Sequence, residues 1–301
     1  VSGDGARVAH GGPGPVLPGH NGLVRSGGRA YGDGMPSAIA NGVDLYYEAH
    51  GHGPVILGIH GSPSSAVLWE PAAVRLGALG TCVVYDRRGY GRSTAPEPFE
   101  ATDLDDQVAD AAALLDRLGA ESAIVIGRST GGLIALELAH SRPHRVDGLV
   151  LLEPALFTVD GDTRAWAAQL RAEVLAAAGD DPARAAEAVV RIALGDEAWD
   201  AMDAGVRDLL RAGGRAVLAE IRGRGLDLSA EPLELSDAEL SGIEVPTLLV
   251  SAAGSPAPLR RVVPRLAARL PRASAAVVAG GHLIDPASPV VLEFVRPLTE
   301  P

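Results

Sequence analysis

The segment Ala123–Leu138 constrains this chain more than any other. It reads A-I-V-I-G-R-S-T-G-G-L-I-A-L-E-L: an apolar β-branched run, then G-x-S-x-G, then apolar residues at helical spacing. A serine at the tip of a tight strand-to-helix turn is pushed out of the sheet edge. Glycines flank it because strand and helix approach closely there. The new helix aims its free N-terminal N–H groups at whatever the serine attacks. Alone, G-x-S-x-G is a weak signal, since small turns commonly use Gly and Ser. Between a strand and a helix it marks Ser129 as a nucleophile and the N–H of Thr130 as half of an oxyanion hole.

The rest of the pattern alternates. Strand-like runs lie at 43–48, 55–60, 81–86, 122–127, 147–152, 246–251 and 274–279. Those from 81 onward are fairly continuous apolar runs, as a parallel sheet covered on both faces requires. Leu104, Val108, Ala111, Leu115 and Leu118 fall at helical spacing, with Gly119 placed as a C-terminal cap. This order predicts a doubly wound α/β fold with a mostly parallel sheet. Between Leu156 and Gly242 the strands stop, and the chain turns rich in Ala, Leu, Arg and Asp, with Trp166 and Trp199. Asp181-Pro182 reads there as an N-cap followed by proline at the first helical position.

Composition narrows the partners. A chain of 301 residues that is 47% hydrophobic can fill one large domain, or one domain with an insertion. The net charge is -12, which argues against nucleic acid and anionic membranes as partners. All 26 basic residues are arginine, a bias that fits a GC-rich bacterial genome. No run approaches a membrane span. Cys82 is the single cysteine, so no internal disulfide can form, and it is expected to be a buried, inert thiol in a cytoplasmic protein. Residues 1–34 are glycine-rich, without the apolar block of a signal peptide. They are expected to be a disordered extension, or else an arm over the site or a partner subunit. The oligomeric state is not legible.

Two further strand-ending motifs and a late histidine sharpen the reading. Val55–Pro63 runs V-I-L-G-I-H-G-S-P, Val83–Ser93 runs V-V-Y-D-R-R-G-Y-G-R-S, and Gly280-Gly281-His282 follows the last strand. With the serine turn, their order and spacing resemble the α/β-hydrolase family over roughly residues 40–298. The resemblance implies a core of residues 35–155 and 243–301 and a helical lid at 156–242, which excludes water and shapes the substrate pocket. It makes His282 the general base and gives Ser62 N–H as the second oxyanion donor. His60 becomes a structural histidine of that loop, and Trp69 a pocket-lining residue with a core role equally open. Asp86, Arg87 and Arg88 are expected to brace the turns near the site. A small-molecule substrate is implied, with no cofactor and no metal.

The acid departs from the family pattern. The common carboxylate follows the strand at 246–251, but this chain reads S-A-A-G-S-P at Ser251–Pro256, with Gly254 at the expected position. No Asp or Glu lies between Glu244 and Asp285. Glu153, ending the strand at 147–152 on the same edge as Ser129, is the replacement found in some superfamily members. Asp285 is the alternative, and a Ser–His dyad the third possibility. Arg128, beside the nucleophile, either braces the sheet or binds a substrate carboxylate. The residues together predict a serine hydrolase of esters, thioesters or lactones acting through an acyl-enzyme. A serine nucleophile argues against a haloalkane dehalogenase or epoxide hydrolase, which use a carboxylate on this fold. C–C bond cleavage or a non-hydrolytic biosynthetic reaction is an alternative on the same scaffold. A degenerate hydrolase that only binds a small molecule is another, and Gly254 is its best support.

Overall fold

In a computed structural model that describes residues 37–300, eight strands form one sheet. They are β1 (Ser37–Ala40), β2 (Val43–His50), β3 (Val55–Ile59), β4 (Thr81–Tyr85), β5 (Ala123–Arg128), β6 (Val146–Leu152), β7 (Thr247–Ala252) and β8 (Ala273–Val278). Their order is β1-β2-β4-β3-β5-β6-β7-β8. The β1–β2 and β2–β4 pairs are antiparallel and the others parallel. The expected extension at 1–34 lies outside the described residues.

Side-chain alternation splits the core between the two faces of the sheet. Val125, Leu149, Leu151 and Leu249 face α2 (Leu104–Arg117), α3 (Thr130–Ser141) and α10 (Ala257–Ala267). Ile124, Ile126, Val150 and Val250 face α1 (Glu70–Leu76) and α11 (Pro289–Thr299). Each fully buried aliphatic side chain contributes about 1.5–3 kcal/mol, so the central strands read as unbroken apolar runs. The expected Gly119 cap has φ +69°, where a side chain would be strained. Cys82 is fully buried, and burial pushes its thiol up to about 12.

Two elements differ from expectation. β1 was not anticipated, although Asn41-Gly42 follows it with φ +47° and +81°, a two-residue hairpin turn that pairs Ala40 with Val43. β8 is an edge strand and not a doubly covered one. It carries small alanines, and Val277 is 72% exposed.

Residues 157–242 contain only helices and loops: α4 (Gly161–Ala178), α5 (Pro182–Leu194), α6 (Asp196–Asp200), α7 (Ala204–Ala212), α8 (Gly214–Arg222) and α9 (Asp237–Ser241). Asp181 caps α5 by accepting the Ala183 N–H at 3.0 Å, with Pro182 at the first helical position.

Candidate active site

β5 delivers Ser129 on a strained turn. Its φ of +56° and ψ of -123° lie where non-glycine residues rarely sit, at a cost of about 1–3 kcal/mol. The turn is held by its own hydrogen bonds. Ser129 N–H donates to Leu152 O at 3.0 Å, and Ser129 O accepts from Gly132 and Ala155 N–H at 2.8 and 3.1 Å. A Cβ on Gly127 would lie 2.2 Å from Gly131 O, and one on Gly131 would lie 2.2 Å from Ile59 O. The glycines are therefore set by backbone contact. The serine is left half-buried, on the wall of a cavity it shares with His282.

Glu153 follows β6 directly, its N–H donating to Val250 O of β7 at 2.9 Å, with φ +44° and no exposed surface. Its Oε1 accepts Ala252 N–H at 2.8 Å; its Oε2 accepts Ser255 Oγ–H at 2.8 Å and His282 Nδ1–H at 2.6 Å. Three donors converge on it, so the carboxyl acts only as an acceptor, the pattern of an ionised group. That fixes the imidazole tautomer: Nδ1 carries the proton and Nε2 is free to accept one. Among the described residues no hydrogen bond joins Ser129 Oγ to His282, although both face one cavity. Such contacts are often open before substrate binds.

The other candidate acids do not reach the histidine. Asp285 Oδ1 accepts from Arg75 Nη2 at 2.6 Å and from Ala287 N–H at 3.0 Å, on the exposed side of the turn. Gly254 N–H donates to Gly280 O at 2.8 Å, and a Cβ on Gly254 would lie 2.8 Å from that same oxygen. The site of the usual acid is filled by backbone. Ser255, next to it, was passed over in the sequence, although it lies at the strand end where an acid partner belongs.

Gly61 packs against the nucleophile, and a Cβ there would come within 3.0 Å of Ser129 Cβ. Ser62 and Thr130 both line the cavity, and neither backbone N–H donates to another backbone group among the described residues. Ser62 Oγ accepts from Arg87 Nη2 at 2.5 Å, and Arg87 Nη1 reaches Glu220 of α8 at 2.7 Å. Arg88 grips Asp110 with two 2.6 Å bonds, and Asp86 accepts the N–H groups of Ala66 and Arg92 at 2.6 and 2.8 Å. These residues brace the turns. His60 accepts Arg87 N–H at Nε2 (3.0 Å) and so donates from Nδ1 to Gly61 O (2.7 Å). Burial, then the Arg87 charge, holds its pKa well below the usual range, and its role is structural.

Trp69 is a correction. It is 1% exposed, packs in the core under Gly58, and does not line the cavity. Trp166 of α4 does, with Phe157, Leu170, Val189, Ile221 and Leu228. The cavity has a volume of about 70 Å³. Asp227, in the loop after α8, also lines it and was not anticipated. Loss of water around its carboxyl, then the nearby Glu220 charge, raises its pKa to about 7. No sequence pattern marks it, because nothing around it repeats. Among the described residues no cluster of three His, Cys, Asp or Glu is placed to hold a metal, and no helix is long and apolar enough to cross a membrane.

A family model described as alpha/beta hydrolase fold matches residues 54–284. The lipase LipV of Mycobacterium tuberculosis is 37% identical over 121 residues, 40% of this chain and 44% of that protein. A haloalkane dehalogenase of Agrobacterium fabrum is 32% identical over 133 residues, 44% of this chain and 43% of that protein. The chain thus matches less than half the length of these curated relatives. The crystal structure of the enol-lactonase from Burkholderia xenovorans superposes with a TM-score of 0.67 at 23% identity, over 88% of this chain and 100% of that one, a likeness of fold.

Proposed function

The chain belongs to the alpha/beta hydrolase fold family, and within it we propose a serine hydrolase that cleaves carboxylic esters, thioesters or lactones through Ser129, His282 and Glu153. Ser129 Oγ attacks the carbonyl carbon while its proton passes to His282 Nε2. The N–H groups of Ser62 and Thr130 hold the developing oxyanion. The intermediate collapses as His282 returns the proton to the departing alcohol or thiol. Water then attacks the acyl-enzyme with His282 again as base, and the acid leaves. Glu153 holds the tautomer and stabilises the imidazolium.

The observation that carries this reading is the 2.6 Å bond from His282 Nδ1 to the buried Glu153 carboxylate, on the strand edge that presents Ser129. The binding-protein reading had its best support in the missing acid at Gly254, and the Glu153–His282 contact weighs against it. The helical segment 156–242 serves as the lid; Trp166, Leu170 and Val189 of it wall the cavity. A panel of p-nitrophenyl esters, thioesters and lactones, assayed with wild type and Ser129→Ala, tests the proposal. Turnover with a pre-steady-state burst that Ser129→Ala abolishes is expected. Equal turnover by the two proteins refutes it.

A further inference from the structure

Three buried arginines stand near the site, and one of them has no acid. Arg87 pairs with Glu220 at 2.7 Å and Arg88 with Asp110 at 2.6 Å. Arg128, 9% exposed, has no carboxylate partner among the described residues. Its one hydrogen bond is a 3.3 Å contact from Nη1 to Ile284 O, and the Trp69 ring lies 5.5 Å from its guanidinium carbon. Asp285, whose charge acts on it from a distance, is bonded to Arg75 instead. Burial lowers the Arg128 pKa to about 10 and leaves it charged at neutral pH. A guanidinium offers five N–H donors, and one is used here. Its unpaired nitrogens keep accessible surface, and Arg128 lines the cavity, where a ligand can meet them.

A second unmatched group sits on the same cavity. Ser64 Oγ is buried without a hydrogen-bond partner, and Ser64 and Arg128 line the cavity that holds Ser129 and His282. The cavity's acids, Glu220 and Asp227, come from the helical segment, and most of the remaining wall is apolar. Glu220 is already paired with Arg87, so Arg128 is, among the described residues, the lining cation left without a carboxylate and the place where an anion on the substrate is drawn. A brace for the sheet would need acceptors around the guanidinium, and the structure supplies a single long one.

We propose that Arg128 and Ser64 form a subsite for a carboxylate on the substrate, so that the site takes short half-esters, half-thioesters or lactones bearing one carboxylate and an apolar body. The planar guanidinium donates two parallel N–H bonds to a carboxylate, and the Ser64 hydroxyl donates a third. The bond that is cleaved rests on the hydrolase reading above; the anion subsite does not.

Two assays separate the two claims. In the first, Ser129→Ala is titrated calorimetrically with monomethyl glutarate and with neutral dimethyl glutarate, with and without Arg128→Met. The half-ester is expected to bind at least tenfold tighter, and Arg128→Met to erase the difference. In the second, kcat/KM for mono-p-nitrophenyl glutarate is divided by that for p-nitrophenyl valerate. The ratio is expected to fall at least tenfold in Arg128→Met and in Ser64→Ala to a lesser degree, and to recover partly in Arg128→Lys, which keeps the charge if the methionine variant does not fold. Half-ester binding without any hydrolysis by wild type upholds the subsite and refutes the hydrolase. Hydrolysis with an unchanged ratio, above all if Arg128→Met also lowers the melting temperature, shows a structural brace and overturns the subsite.

Discussion

Replacing Glu153 with glutamine keeps the shape of the group under His282 and removes its charge. Today Oε1 receives Ala252 N–H, and Oε2 receives Ser255 Oγ–H and His282 Nδ1–H. A glutamine has one acceptor oxygen for these two sites. If its NH2 faces Ala252, the side-chain amide and the fixed backbone N–H oppose each other as donors at 2.8 Å, and a buried unpaired donor costs about 1–3 kcal/mol. If its NH2 faces Ser255 and His282, the serine hydroxyl can rotate and the imidazole can shift its proton to Nε2. The second arrangement leaves fewer unpaired groups, so it wins. It also disables the base, because Nε2 can no longer accept the Ser129 proton. Wrong tautomer plus lost imidazolium stabilisation should lower kcat roughly 10³–10⁴-fold, about 4–5.5 kcal/mol of barrier. The assay is the kcat for a p-nitrophenyl ester, with circular dichroism and melting to show that the variant folds. A folded Glu153→Gln within threefold of wild type refutes the assignment of the acid.

Further outcomes follow from the same geometry. Ser129→Gly removes a side chain from φ +56°. It should abolish activity yet stabilise the fold by about 1 kcal/mol in urea unfolding, since relief of strain exceeds the added freedom of the unfolded chain. Gly254→Asp restores the usual acid position on paper, but its Cβ meets Gly280 O at 2.8 Å. It should lose about 1–3 kcal/mol of stability and fail to rescue Glu153→Gln in the ester assay. Asp227, with its pKa raised to about 7, holds its proton longer in the folded state than in the unfolded chain. Stability should therefore fall as pH rises from about 4 to about 7. Melting temperatures at pH 5 and pH 8 should differ less in Asp227→Asn than in wild type.

The parts of the fold that rest on local rules were readable from the chain. The serine turn, the Asp181-Pro182 helix start and the positive-φ Gly119 each follow from chain sterics within a few residues. Glu153 entered through the family resemblance, since some members carry an acid at this strand end, and the structure places its carboxylate 2.6 Å from His282 Nδ1. What was missed depends on contacts between distant segments. Trp69 and Trp166 are alike as tryptophans, and only packing decides that Gly58 receives one while the cavity receives the other. Asp285 lies three residues from His282, yet Arg75, 210 positions away, holds it outside the site. The lone cation at Arg128 and the raised pKa of Asp227 are sums over neighbours from several elements, which no window of sequence contains. β1 is the exception, since Asn41-Gly42 signals a hairpin from two residues.

The most direct test of the account is labelling with a fluorophosphonate, with the adduct mapped by mass spectrometry in wild type and Glu153→Gln. The account predicts one adduct per chain, on Ser129, formed far more slowly when Glu153 is glutamine. A folded wild-type protein that takes up no label, or takes it up on another residue, contradicts it.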